Sequence, residues 1–399
     1  MKIRKLKALA PFKGYVVTEL SFEEVSCQIK LNFDKRCGPR CPKCASRLPR
    51  NKTGQRIVMD SPMAHGPITY LSFPTVQGVC PHCLCYVTTC PAEVHPSAQA
   101  TWRFMRLVSS FASVAANTDV AALLDISDST VRRYDKIVLS MDTPPPCLDG
   151  IRTLLIDEKS VRKKHNYVTV ILNGDTGELL HMAEGKKKES VTSFLEKLSL
   201  SQKTTIKAIG IDRAGSYQAA AKEHLPNADI VYDRFHLMMN VNEAINEVRR
   251  NQWRQADQQE RQWLKGKRFL LIANRDKLDI DGQVELHRLL QANASLSCAH
   301  VLKEQFQSIF RYQRQGWAER ALENWCALAE ASGLRPFERL AKSFRKQAKR
   351  VCGYVKHKLT SGRIEGFNNQ IARLIHRGCG IRDLDYLELK LRHQSIMRS

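Results

Sequence analysis

The chain has 399 residues, enough for two to three domains with sizeable cores. Its 43% apolar and 26% charged residues are ordinary for a globular protein and exclude a disordered, collagen-like or low-complexity chain. Its 63 Lys and Arg against 40 Asp and Glu leave a net charge of +23, which points to a polyanionic partner, nucleic acid before an anionic membrane surface.

The N-terminal MKIRKLKALAPFKG is basic, but its apolar run is too short for a signal peptide. No apolar stretch approaches the roughly 18 residues of a membrane span. A cytoplasmic location without a membrane partner is expected. There, 13 cysteines read as metal ligands and buried thiols instead of disulfides. Eight of them lie between Cys27 and Cys90. Two knuckles, Cys41-Pro-Lys-Cys44 and Cys80-Pro-His-Cys83, each present two thiolates from one tight turn. Together they supply the four ligands of a structural zinc ion. Cys37, Cys85, Cys90 and His82 are near enough to substitute or to fill a second site. The 35 residues between Cys44 and Cys80 suit a β-ribbon, and ITYLSFPTVQG (68–78) alternates in part as a strand does.

A helical segment, Ala98 to Leu139, comes next. Within it TDVAALLDISDSTVRRYDKIV (118–138) reads as a helix-turn-helix. Thr118 is expected to cap the first helix and Ser127 or Asp128 the second. Leu123, Ile126, Val131, Tyr134 and Ile137 form the expected internal face. The second helix offers Ser129, Thr130, Arg132, Arg133 and Lys136 to phosphates and the major groove of double-stranded DNA. Pro144, Pro145 and Pro146 then make a stiff linker and a domain boundary.

Beyond the linker, 151–157 and 166–172 read as strands, with NGDTG (173–177) as a hairpin turn and 178–184 as the return strand. A helix is expected over 189–200, a strand over 204–212, a helix over 216–225 and a strand over 228–233. From Phe235 to about Arg350 the pattern is helical. Four of the five tryptophans fall there, and most are expected in the core of that helical part.

Three carboxylates stand out. Asp157 and Asp212 end strands that right-handed crossovers can place side by side. Paired carboxylates repel unless a cation lies between them, and magnesium or manganese takes such oxygen ligands. A third acid is expected on a later helix. Between Arg339 and Arg382 there are twelve Lys and Arg and one acid, Glu365. An acid kept alone in a phosphate-binding surface reads as a metal ligand. Among those cations Lys346, Lys349, Arg350 and Arg363 are expected to contact DNA.

These residues carry a resemblance. IDEKSVRKKHNYVTVILNGDTGELL (156–180), IGIDRAGSYQAAAKEHLPNADIVYDRFHLMMNVNEAINEVRR (209–250) and SGRIEGFNN (361–369) are similar to the three catalytic motifs of bacterial insertion-sequence transposases of the DDE type, ISL-three family. The resemblance covers nearly the whole chain and makes Asp157, Asp212 and Glu365 the catalytic, magnesium-binding acids. It implies a ribonuclease-H-like mixed-sheet core with a large α-helical insertion at about 250–350. The expected organisation is multidomain α/β: a zinc-binding domain at 1–97, a helix-turn-helix domain at 98–143 and the catalytic domain at 150–399. The DRFH string (233–236) also matches; His236 and Arg234 are expected to touch DNA or support the site, and Asp233 to pack or cap.

The implied function is binding of terminal inverted repeats, metal-dependent strand cleavage, and attack of the freed 3′ hydroxyl on target DNA. That implies a nucleoid-associated protein acting as a homodimer or higher oligomer on DNA. The alternatives are a transposase-derived DNA-binding regulator without catalysis and a structure-selective nuclease; the intact acid triad and the end-binding module disfavour them.

Overall fold

In the second strand, SCQIKLNF, the side chains of Cys27, Ile29 and Leu31 point inward while Gln28, Lys30 and Asn32 face water. That alternation seeds the first of two sheets. The computed structural model describes residues 12–396 apart from 24–25, 50, 63–67, 163–165, 213–214, 274, 361 and 379. The chain divides into two compact units, Met1–Pro144 with His376–Met397, and Pro145–Ile375. Among the described residues no helix is long and apolar enough to cross a membrane.

The first unit holds β1 (Tyr15–Phe22), β2 (Ser26–Phe33), β3 (Lys52–Asp60), β4 (Ile68–Val79) and β5 (Tyr86–Thr88). Their order is β1-β2-β4-β3, with β5 paired to β4. The expected ribbon is thus a mixed five-stranded sheet, in which β2 and β4 run parallel. Then come α1 (Trp102–Val114), α2 (Asn117–Leu124) and α3 (Asp128–Asp142). Ser127 caps α3, its hydroxyl accepting from the Thr130 N–H. Thr118 does not cap α2: that helix begins two residues earlier than such a cap would set, after Ala116 and without a side-chain cap. Leu123 also departs from expectation and is 66% exposed. Val120, Ala121 and Leu124 define the inward face, and at 3.6 residues per turn Leu123 lies about 100° from its centre.

The second unit is built on β6 (Thr153–Arg162), β7 (Asn166–Asn173), β8 (Leu179–Glu184), β9 (Ala208–Ile211) and β10 (Asp229–Tyr232), in the order β10-β9-β6-β7-β8. β6, β7 and β8 form an antiparallel meander; β9 and β10 run parallel to β6. α4 (Lys188–Leu195), α5 (Leu200–Thr205) and α6 (Gly215–His224) make the connections. The strand expected over 204–212 starts only at Ala208 because Ser199 and Gln202 close a capping box and commit Leu200–Thr205 to helix. That box also ends the helix expected over 189–200 early.

The helices that follow are α7 (Arg234–Gln255), α8 (Gln258–Leu264), α9 (Arg268–Ile272), α10 (Ile280–Ala292), α11 (Ala294–Ile309), α12 (Gln315–Ala331), α13 (Arg335–Arg345), α14 (Ala348–His357) and α15 (Gly362–Arg377). Their buried side chains, among them Phe306, Trp325, Phe337 and Phe344, are continuous with the core under the sheet. Trp325 is fully buried, and its indole N–H donates to Leu302 O at 2.7 Å. Trp253, Trp263 and Trp317 are 41%, 38% and 55% exposed, so the expectation that most of these tryptophans are core holds for Trp325 alone.

The last helix, α16 (Leu384–Ile396), belongs to the first unit although the sequence reading ran the catalytic domain to residue 399. It is held on α3 by a buried ion pair. Asp135 of α3, 1% exposed, accepts from Lys390 Nζ at 2.7 Å, Tyr386 Oη at 2.5 Å and Ser109 Oγ of α1 at 2.7 Å. Lys390 Nζ also donates to Ala112 O at 2.8 Å. Breaking a buried pair by removing one partner costs about 3–5 kcal/mol, because the other charge is left uncompensated. Lys390→Met is therefore expected to destabilise the first unit by about that amount in denaturant melts. Pairing it with Asp135→Asn should recover part of the loss; an unchanged midpoint for the single variant would contradict this account.

Candidate functional site

Three aspartates stand in one row because the parallel ladders of three strands stop in register. β6 pairs with β9 through Leu155↔Gly210 and Ile156↔Ile211, and β10 pairs with β9 through Val231↔Gly210 and Tyr232↔Ile211. The next residue on each chain is Asp157, Asp212 and Asp233. Neighbouring strands are about 4.8 Å apart. All three aspartates line one small pocket with His236, Thr360 and Ile364. Gly210 lets the strands pack this closely: a Cβ there would fall 2.6 Å from a Leu155 methyl. Asp157 does not end its strand. β7 goes on pairing with β6 past that point (Asp157↔Val170) while the β9 ladder stops at Ile211. Asp157 thus sits where one flank of β6 is released.

Both oxygens of Asp157 are held. Oδ1 accepts from the Glu158 N–H at 2.8 Å and Oδ2 from Asn368 Nδ2 at 2.7 Å. Burial nevertheless pushes this carboxyl above the usual range, and the charge of Asp212 adds to the rise. Asp233 caps α7, accepting from the Phe235 N–H at 3.1 Å, and its other oxygen meets His236 Nδ1 at 2.8 Å. That bond, with the charges of Asp212 and Asp157, lifts His236 to about 8 against its burial. Glu158 has a different environment, with Lys186 at 3.9 Å and Tyr217 nearby.

Glu365 lies in the first turn of α15 and is exposed. Ile364 beside it lines the pocket, and Asn368, three residues on and hence on the same side of the helix, is the residue bonded to Asp157. The described contacts therefore bring Asp157 and Asp212 together and dock the helix of Glu365 against Asp157.

In the first unit Cys41, Cys44, Cys80 and Cys83 converge, all four Sγ atoms lying within 4.8 Å of one another. The two knuckles repeat one hydrogen-bond pattern. Ala45 N–H donates to Cys41 O and Leu84 N–H to Cys80 O, both at 2.9 Å. Cys41 N–H donates to Ser46 O and Cys80 N–H to Cys85 O, again at 2.9 Å. Ala45 and Leu84 both take left-handed conformations, φ 60° and 54°. The Cys41–Cys83 and Cys44–Cys80 sulfur separations are 3.7 and 3.5 Å. A zinc tetrahedron with bonds of about 2.3 Å has edges of about 3.8 Å, so the cluster is compatible with zinc. Cys37, Cys85, Cys90 and His82 are not members of this group.

Residues 154–391 match the model of a transposase family. The chain belongs to the ISL-three family of transposases. It is similar along its length to the transposase for insertion sequence element IS1001 of Bordetella parapertussis, with 30% identity covering 98% of this chain and 97% of that protein. It is also 23% identical to the transposase for insertion sequence element IS1557 of Mycobacterium tuberculosis, over 93% of this chain and 90% of that one.

In this member of the transposase family the expected basic contacts have different surroundings. On α3, Ser129 and Arg133 are exposed, while the Thr130 hydroxyl bonds Ser127 at 2.8 Å. Lys136 is paired with Asp383 at 2.8 Å. Against its burial, Asp383 is held below the usual carboxylate range by Lys136, and Arg132 acts the same way. Lys346 and Lys349 are exposed. Arg350 donates to Gln218 at 2.7 Å and Tyr232 at 3.2 Å, and Arg363 donates to Gly174 O. Asn368 escaped the sequence reading, although its signal was present: an asparagine three residues after Glu365 shares its helix face.

The raised proton affinity of His236 has a pH consequence. Its pair with Asp233 contributes stability fully below about pH 6.5, where an ordinary histidine is also protonated, and loses it as pH rises through about 8. In metal-free protein, thermal melts of wild type and His236→Gln are expected to differ most near pH 6 and to converge above pH 8 by about a unit. A constant difference across that range would exclude the charged pair.

Proposed function

We propose that this chain is an active transposase: it binds the terminal inverted repeats of an insertion sequence and catalyses metal-dependent cleavage and strand transfer. The observation that carries the reading is the in-register pair Asp157 and Asp212 at the end of the parallel ladder, with the helix of Glu365 docked beside them. The sheet order, an antiparallel three-strand meander extended by two parallel strands, supports a ribonuclease-H-like core. The helices between β10 and α15 contain its insertion, expected at about 250–350.

The acid oxygens fit magnesium or manganese: they are hard ligands, and Asp157 and Asp212 are half-buried and line one pocket together. Bound there, such an ion supplies activation of water and stabilisation of charge on the phosphodiester oxygens. Asp157, fixed by Glu158 N–H and Asn368, and Asp212 beside it hold the cation; Glu365 completes the set from α15. Asp233 and His236 form a charge-balanced pair at the rim. The Cys41, Cys44, Cys80 and Cys83 thiolates hold a structural zinc that staples the first sheet. α2 and α3 act as a helix-turn-helix, with Ser129 and Arg133 as its most accessible DNA-facing residues, and Lys346 and Lys349 contact phosphates.

Asp157→Asn, Asp212→Asn and Glu365→Gln should each reduce cleavage of labelled repeat-end DNA by at least about 100-fold, the scale of losing one preorganised electrostatic group, while gel shifts on the repeats stay unchanged. Wild-type cleavage by Asp157→Asn would remove the site assignment; cleavage without joining would favour a nuclease. For the cysteine cluster, metal analysis should find one zinc ion per chain, lost in Cys80→Ser together with cooperative melting of the first unit. A zinc-free protein with an intact melt would refute the cluster's role.

A further inference from the structure

Asn368 is built into the acid site in a way the catalytic reading does not require. Its Nδ2 donates to Asp157 Oδ2 at 2.7 Å, the only link from α15 to that carboxylate among the described hydrogen bonds. The amide orientation is dictated: reversed, it would set two acceptors against each other at that distance. Its Oδ1 is consequently turned away from Asp157, and this atom is buried without a hydrogen-bond partner among the described residues. A buried unsatisfied amide oxygen is costly unless something fills it. Beside a cation site the natural donor is a water carried by the cation, since magnesium keeps several of its waters.

Resting on the metal-site reading above, we infer that Asn368 is the positioning residue of this site. Its Nδ2 fixes the rotation of the Asp157 carboxylate, and its Oδ1 takes a hydrogen bond from cation-bound water. An aspartate side chain has a soft terminal torsion, and the Glu158 N–H restrains only one oxygen. The second restraint comes from α15, the helix that carries Glu365. The carboxylate on β6 and the acid on α15 are thus set relative to each other by one amide. Asn369, the next residue, is exposed and serves as the internal control. Removing the amide need not undock the helix, because Ile364, Phe367, Ile371 and Leu374 bury its inner face.

The test is manganese binding by the full-length protein, followed by calorimetry and by the electron paramagnetic resonance spectrum of the bound ion. Asn368→Ala and the volume-matched Asn368→Leu are expected to weaken manganese binding about 10–100-fold, as losing the hydrogen-bond partner of a ligating carboxylate does, with an altered spectrum. Metal-free melting and gel shifts on repeat DNA should not move, and Asn369→Ala should behave as wild type. Wild-type affinity in both Asn368 variants, alongside its loss in Asp157→Asn, would overturn the role of Asn368 and leave the acid site standing. Wild-type affinity in Asp157→Asn as well would overturn both.

Discussion

The register of three parallel strands is the constraint on which the candidate active site depends. β6, β9 and β10 reach the same level together, so the residue after each ladder is an aspartate at the same height. Like charges on strands about 4.8 Å apart repel, and a sequence that places them there forgoes stability in the metal-free state. The neighbouring groups moderate that cost. Asp157 has a donor on each oxygen, and Asp233 is paired with His236. What is left is a pocket whose three aspartate charges are partly compensated.

A second buried electrostatic contact shapes the other unit. Asp135 is satisfied only by groups from two other helices, α1 and α16, so the three-helix arrangement around α3 is incomplete without the end of the chain. The same helix brings Asp383 to Lys136. Side chains that look like a free basic face in a linear reading of α3 are therefore partly spent inside the unit. Arg350 and Arg363 follow the same pattern in the second unit, bonded to Tyr232 and Gln218 and to Gly174 O.

These differences show what a sequence exposes and what it hides. The cysteine knuckles were legible because each is a four-residue turn, and the strands carrying Asp157 and Asp212 because their apolar runs end at the acids. The Ser127 cap was legible for the same reason: it is local. What lay hidden depends on packing partners far along the chain. Nothing near Asp135 announces Lys390, and the signal for Asn368 lies beside Glu365, far along the chain from Asp157. Leu123, Trp253, Trp263 and Trp317 were misjudged because hydrophobicity alone does not say which face of a helix is covered. The capping box at Ser199 and Gln202 was readable, but the β-rich pattern around it outweighed it.

The charge balance can now be placed more closely. Many cations are matched within the fold: Arg339 with Glu247, Arg345 with Glu323 and Glu330, Lys356 with Asp229. Even if each of the 40 acids were matched by one cation, 23 of the 63 cations would remain without an acid. Asp157, Asp212 and Asp233 instead line one pocket together. A net charge of this size would act on a polyanion at long range, whereas the three aspartates of the pocket act only over short distances. On the proposed metal-site reading, a divalent cation would reconcile the two by offsetting the carboxylate charge where a phosphate approaches.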